Sequence, residues 1–202
     1  MKNEKTKTLS TRMIAGCGML SAIAFVLQLL EFPLPLLLPD FIKFDFSDLP
    51  EIIGAFAYGP IAGIIIALVK NLLHALLATH SFGVGELCNF LLGASFAGTA
   101  GFIYKKKKTK KGAALGGIAG SAVMAVLSFP FNFFIVYPFY YNFMPKETII
   151  NAYHSILPFV TSIEVSLLIF NVPFTLVKGL ISVVISMFIY RPLRPLLKGE
   201  VE

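Results

Sequence analysis

Two lysines in this 202-residue chain stand where lysine is costly. Lys70 sits in "GPIAGIIIALVKNLLH" and Lys178 in "NVPFTLVKGLISVV", both inside apolar runs. An ionisable group at mid-bilayer costs about 2.5–3.5 kcal/mol on insertion scales, so each marks a candidate functional position. Three amides occur in comparable company: Asn71 beside Lys70, Asn89 in "GELCNFLLG", and Asn132 in "FPFNFFIVYP". Lysine and asparagine side chains both donate directional hydrogen bonds. Asparagine can also accept. The stretch "FIKFDFSDLPE" adds Lys43, Asp45, Asp48 and Glu51 to a chain that is apolar on either side. Asp48 and Glu51 have the spacing of a helix capping box, with Asp45 as a further cap candidate.

The elements that position these groups are membrane spans. Hydrophobic residues make up 56% of the chain and charged residues 14%, against about 25% charged in a soluble domain. Mean hydropathy is +0.80. The expected fold is an all-α integral membrane protein, a single domain over residues 1–202 with six transmembrane helices. The spans fall at roughly 13–30, 48–58, 60–78, 84–104, 112–139 and 162–190, with an outer lid loop at 31–47. Gly59-Pro60 is a helix breaker and separates the second and third spans. Residues 48–58 are too few to span alone and need shelter by the other helices.

Charge sets the topology. Net charge is +6, and the basic residues cluster at Lys2, Lys5, Lys7 and Arg12, in "KKKKTKK" (Lys105 to Lys111), and at Arg191, Arg194 and Lys198. Six spans with cytoplasmic N- and C-termini place all three clusters on the cytoplasmic side, as the positive-inside tendency demands. Between apolar spans the lysine run reads as a cytoplasmic loop rather than a nucleic-acid surface. Cys17 and Cys88 lie in separate apolar segments, which argues against a disulfide framework or zinc site.

In this topology the charged lid faces outward. Lys178 lies about 18 Å from the cytoplasmic end of its helix and Lys70 about 15 Å from its own, at 1.5 Å per residue. Asn132 and Asn89 fall in the outer half, so Lys178, Asn132, Asn89 and the lid converge in depth on a pocket. Nine of the fifteen residues from Phe129 to Phe143 are Phe or Tyr. They can form an interfacial belt or the flat walls of a ring-binding site. His74, His80 and His154 lack metal-ligand spacing and read as loop or packing residues. Small residues recur at intervals of four, at Gly112, Gly116 and Gly120 and at Gly93, Ala97 and Gly101, as close helix packing requires. The first span carries a further small face of Ala15, Gly18, Ser21 and Ala22, open to internal packing or to another subunit. No phosphate-binding G-x-x-x-x-G-K-[ST] loop, H-E-x-x-H or G-x-S-x-G motif is present.

Taken in order, "KFDFSDLP", "YGPIAGIIIALVKN", "GELCNFLLG", "FNFFIVYP" and "VPFTLVKG" resemble the riboflavin-specific substrate-binding (S) components of energy-coupling factor (ECF) transporters, the RibU type. The resemblance implies a multi-pass protein of a bacterial plasma membrane that captures riboflavin from outside. It implies association with a transmembrane coupling subunit and two ATPase subunits, no enzymatic activity, and no cofactor beyond the transported ligand. The binding positions it implies are Asp40, Lys43, Asn89, Asn132, Thr175 and Lys178, with Thr175 where relatives are expected to carry asparagine. Gly18 and Ala22 are the implied contacts to the coupling subunit. Membrane lipid is the remaining partner, and no nucleic acid is expected. Two alternatives stand beside this: an S component for another vitamin, such as folate or pantothenate, or a membrane-embedded phosphotransferase with Asp45, Asp48 and Glu51 as metal ligands.

Overall fold

A computed structural model describes residues 11–79 and 82–198. Lys2, Lys5 and Lys7 of the first basic cluster, and His80, lie outside the described residues. Among the described residues, five helical stretches are long and apolar enough to cross a membrane: Thr11–Leu29, Pro60–Leu77, Val84–Lys106, Lys110–Tyr140 and Ile163–Tyr190. These are α1, α3, α4, α5 and the apolar part of α7. The shorter α2 covers Asp48–Tyr58, and α6 covers Lys146–His154.

At 11 residues α2 is about 16 Å long, half the depth of a bilayer's hydrocarbon core. It is sheltered: every residue from Asp48 to Phe56 is buried, with α1, α3, α4 and α7 packed around it. The turn into α3 rests on Gly59, whose φ of 106° suits glycine, followed by Pro60 in the first turn of α3. A side chain at Gly101 of α4 would stand 2.8 Å from Pro60 Cα. Thus the α2–α3 turn and the lysine-rich α4–α5 connection share one end of the bundle.

Close helix approach follows the glycine spacing. A Cβ at Gly116 would lie 2.6 Å from the Ala100 carbonyl oxygen, and one at Gly120 would lie 2.6 Å from that of Phe96, so α5 and α4 touch backbone to backbone there. The small face of α1 divides. Ser21 turns inward and donates to the Cys17 carbonyl at 2.8 Å, whereas Ala15, Gly18 and Ala22 stay exposed, with no heavy atom within 4 Å of where a Gly18 Cβ would be.

Both long helices at the other end are wound more loosely for one turn. In α5 a π-helical turn covers Asn132–Val136, two residues after Pro130. In α7, which begins at Ile163–Ser166, another covers Leu167–Asn171 and leads into Val172–Lys198. Proline lacks the N–H for the usual helical bond, and π turns absorb such breaks, often beside functional positions. The lid between α1 and α2 is not wholly irregular: β1 (Phe32–Pro33) and β2 (Lys43–Phe44) pair antiparallel, Phe32 opposite Phe44. This two-residue pairing departs from an all-α chain.

Candidate functional site

A cavity of about 430 Å³ opens above the N-terminus of α2, between the lid and the upper halves of α1, α3, α4, α5 and α7. Five of the six expected binding positions line it: Lys43, Asn89, Asn132, Thr175 and Lys178. Asp40 does not; it is exposed on the lid. The aromatic run divides, with Tyr137, Tyr140 and Phe143 on the cavity wall and Phe134 exposed. Phe41 and Phe174 supply further aromatic wall from the lid and α7.

Beneath the cavity lies a cluster of five charged side chains. Lys178 Nζ stands 2.9 Å from Asp45 Oδ2 and 3.3 Å from Asp48 Oδ2. Lys70 Nζ meets the other oxygen of Asp48 at 3.2 Å, Glu51 Oε1 at 2.7 Å and the Ser47 hydroxyl at 2.6 Å. Asp48 therefore bridges the two lysines. Burial alone would push the Asp45 carboxyl up, but Lys178 and Lys70, with hydrogen bonds from Ser47, hold it down at about 2.

This cluster corrects the capping reading of the acids. The residue before α2 is Ser47, which makes no side-chain cap, and Asp48 and Glu51 face the lysines instead of the helix's own N–H groups. A buried ammonium needs carboxylate partners more than an exposed first turn needs a cap. Nor do these acids form a cation site: among the described residues no group of three His, Cys, Asp or Glu is placed to hold a metal. Lys70 and Asn71 support the site from below and do not line it.

The cavity has two chemically different walls. On the α5–α7 side Asn132 donates its amide N–H to the Ser128 carbonyl at 2.7 Å, which leaves Oδ1 as an acceptor. Thr175 and Lys178 lie one turn apart on α7, and Asn171, inside the π turn, continues the same face. Tyr153 of α6 donates to Asn171 Oδ1 at 3.0 Å, hydrogen-bonds the Tyr137 hydroxyl, and meets the lid residue Phe41 edge to face at 5.7 Å. The short helix α6 thereby fastens lid, α5 and α7 together.

On the α1–α3–α4 side the lining includes Gln28, Glu31, His74 and Glu86 as well as Lys43 and Asn89. Lys43 is paired with Glu31 at 2.5 Å, and His74 Nδ1 lies 2.9 Å from Glu86 Oε1. Sequence reasoning treated His74 as packing. The available signal was its spacing of four from Lys70, which places both on one face of α3.

Comparison with known proteins agrees with this architecture. The family model described as "ECF transporter, substrate-specific component" matches residues 12–190. The chain is 39% identical over 181 residues to a Staphylococcus aureus (strain TCH60) protein named riboflavin transporter RibU, covering 90% of this chain and 89% of that one. It is 33% identical over 194 residues to the riboflavin transporter FmnP of Bacillus subtilis (strain 168), covering 95% of this chain and 97% of that one. A solved structure described as the S component of a bacterial ECF transporter superposes with a TM-score of 0.72 at 37% identity, over 93% of this chain and 98% of that chain. A helical membrane bundle with a lidded cavity at one end, matched along nearly its whole length, makes this chain a member of the ECF transporter substrate-specific component family.

Proposed function

We propose that this chain captures riboflavin from outside a bacterial cell and delivers it through an ATP-driven coupling module. The observation that carries the reading is the cavity itself: aromatic walls for a flat ring, with Lys178, Thr175 and the Asn132 acceptor along one side. A flavin's ring edge offers carbonyl acceptors to Lys178 and an N–H to Asn132, and its polyol chain reaches toward the lid and Lys43. Asn89 and the exposed lid residue Asp40 are further positions in this reading.

The membrane domain in this reading has six transmembrane helices, α2 counting as the sheltered sixth, with both termini cytoplasmic. The shared end of the α2–α3 turn and the lysine-rich loop supports that orientation. Gly18 and Ala22, open on the surface of α1, are the proposed contacts to a transmembrane coupling subunit, and two ATPase subunits supply the energy. The chain itself acts as a binding protein, not an enzyme.

The test is a visible absorption spectrum of detergent-purified protein followed by a riboflavin fluorescence-quenching titration. Co-purified flavin or saturable quenching, lost in Lys178→Met, is the expected result. A colourless protein that never quenches riboflavin overturns the reading.

A further inference from the structure

The charges of this chain are sorted by end to a degree that ligand capture does not require. Every described acid lies toward the cavity: in the lid, in the first turns of α2, α4 and α7, or in α6. The opposite end, shared by the α2–α3 turn and the α4–α5 connection, has no carboxylate among the described residues. It carries instead the lysine run from Lys105 to Lys111, interrupted only by Thr109. All of these lysines are exposed, and none has an acidic partner among the described residues.

The turn that carries them is short and fixed. Helix α4 ends at Lys106 and α5 begins at Lys110. The Lys107 N–H bonds back to the carbonyls of Ile103 and Tyr104 at 3.2 and 3.1 Å, and the Thr109 hydroxyl accepts the Gly112 N–H at 3.0 Å. A Cβ at Gly112 would run into the Lys107 carbonyl oxygen, so the connection closes tightly on itself. Like charges are thus held side by side, and their repulsion has no relief within the chain.

Lipid-facing surface begins within one turn of them. Phe102, four residues before Lys106, and Leu115, four residues after Lys111, are both exposed. Lys106 Nζ stands 4.4 Å from the centre of the Phe102 ring, which lays its stem along that apolar surface. At 1.5 Å per residue, a bilayer that covers Phe102 and Leu115 ends about 6 Å from the lysines on both helices. That is the level of the phosphate headgroups.

We propose that this turn is a binding surface for anionic phospholipid, whose headgroup phosphates supply the counter-charge that the fold withholds. The apolar band beside it selects a lipid over a free anion: acyl chains lie along Phe102 and Leu115 while the phosphate meets the lysines. The bound lipid fixes the depth of this end of the bundle. In the topology proposed above the leaflet is the cytoplasmic one. The test does not depend on that orientation, because a reconstituted bilayer presents the same lipid on both faces.

The experiment places the protein in phosphatidylcholine bilayers with a trace of spin-labelled phosphatidylglycerol or spin-labelled phosphatidylcholine. Electron paramagnetic resonance then reads the motionally restricted fraction of each label. Wild-type protein is expected to prefer the phosphatidylglycerol label by about fivefold, and about 1 M NaCl should bring the two labels close to parity. Replacing Lys107, Lys108, Lys110 and Lys111 together by glutamine should remove most of the preference, and replacing the same four by arginine should keep it. The glutamine variant should melt in detergent at the wild-type temperature or above, since it relieves repulsion and breaks no contact. Equal restriction of both labels by wild-type protein overturns the proposal, as does a preference that survives either the salt or the glutamine substitutions. Loss of the preference on adding inorganic phosphate at constant ionic strength also overturns it, by showing a free-anion site. If the glutamine variant fails to fold, the salt dependence of wild type and the arginine variant decide alone.

Discussion

Lys178 on the last helix and Asp45 on the lid are 133 residues apart in sequence and 2.9 Å apart in space. The contact closes the lid over the cavity from below, and its cation also lines the ligand space. Any ligand atom that accepts from Lys178 therefore shares it with Asp45 and Asp48.

Lys178→Met leaves the buried Asp45 without its nearest cation and removes one of the two lysines that hold Asp48. A loss of about 3–5 kcal/mol in stability is expected along with loss of flavin binding. Lys178→Met combined with Asp45→Asn should recover thermal stability and not binding. A thermal melt and a quenching titration on the same preparations separate the two effects, and recovery of binding in the double variant would contradict the assignment.

The Asp45 carboxyl titrates at about 2, below the 3.8 of an unperturbed aspartate. Its contribution is fully present above the unfolded value and fades as pH falls from about 4 towards 2. Lid protection, followed by limited proteolysis in detergent, should be unchanged from pH 8 to pH 5. Asp45→Asn should be cleaved faster across that whole range; a variant as resistant as wild type would remove Asp45 from the latch.

Lys70 is buried under the cavity and does not line it. Lys70→Met should lower the melting temperature sharply, because it strands Glu51 and half of Asp48. Riboflavin affinity in the folded fraction should fall by less than about tenfold. A purely local loss of binding with unchanged melting would reverse the roles of the two lysines.

Tyr153→Phe removes the hydroxyl that links Asn171 and Tyr137 but keeps the ring against Phe41. The buried Asn171 acceptor loses its donor, at a cost of about 1–3 kcal/mol. Stopped-flow quenching should show faster riboflavin release with association little altered. Equal release rates would mean that α6 only covers the mouth.

Gly18→Leu places a large side chain on the open face of α1, where a Cβ meets nothing. Binding to purified protein should match wild type, while uptake into cells or proteoliposomes containing the coupling module should be lost. Uptake at the wild-type rate would place the coupling contact elsewhere.

Much of this was legible from residue types. Apolar runs and glycine spacing announced a close-packed helical membrane protein, and the lysines inside those runs announced a buried ionic feature. The partner choice was not legible. "DLPE" carries a capping pattern at one range and two lysine partners at another, and only the fold decides which range wins. The two π turns, which set the faces of Asn132 and Asn171, follow from backbone accommodation near proline and leave no periodicity to read.

The placement of α2 has a last consequence. Its fully buried body and the salt-bridged lysines at its head fill the middle of the bundle below the cavity, so the hollow is a cup and not a tunnel. Cargo that comes in past the lid meets a charged, tightly packed floor beneath it.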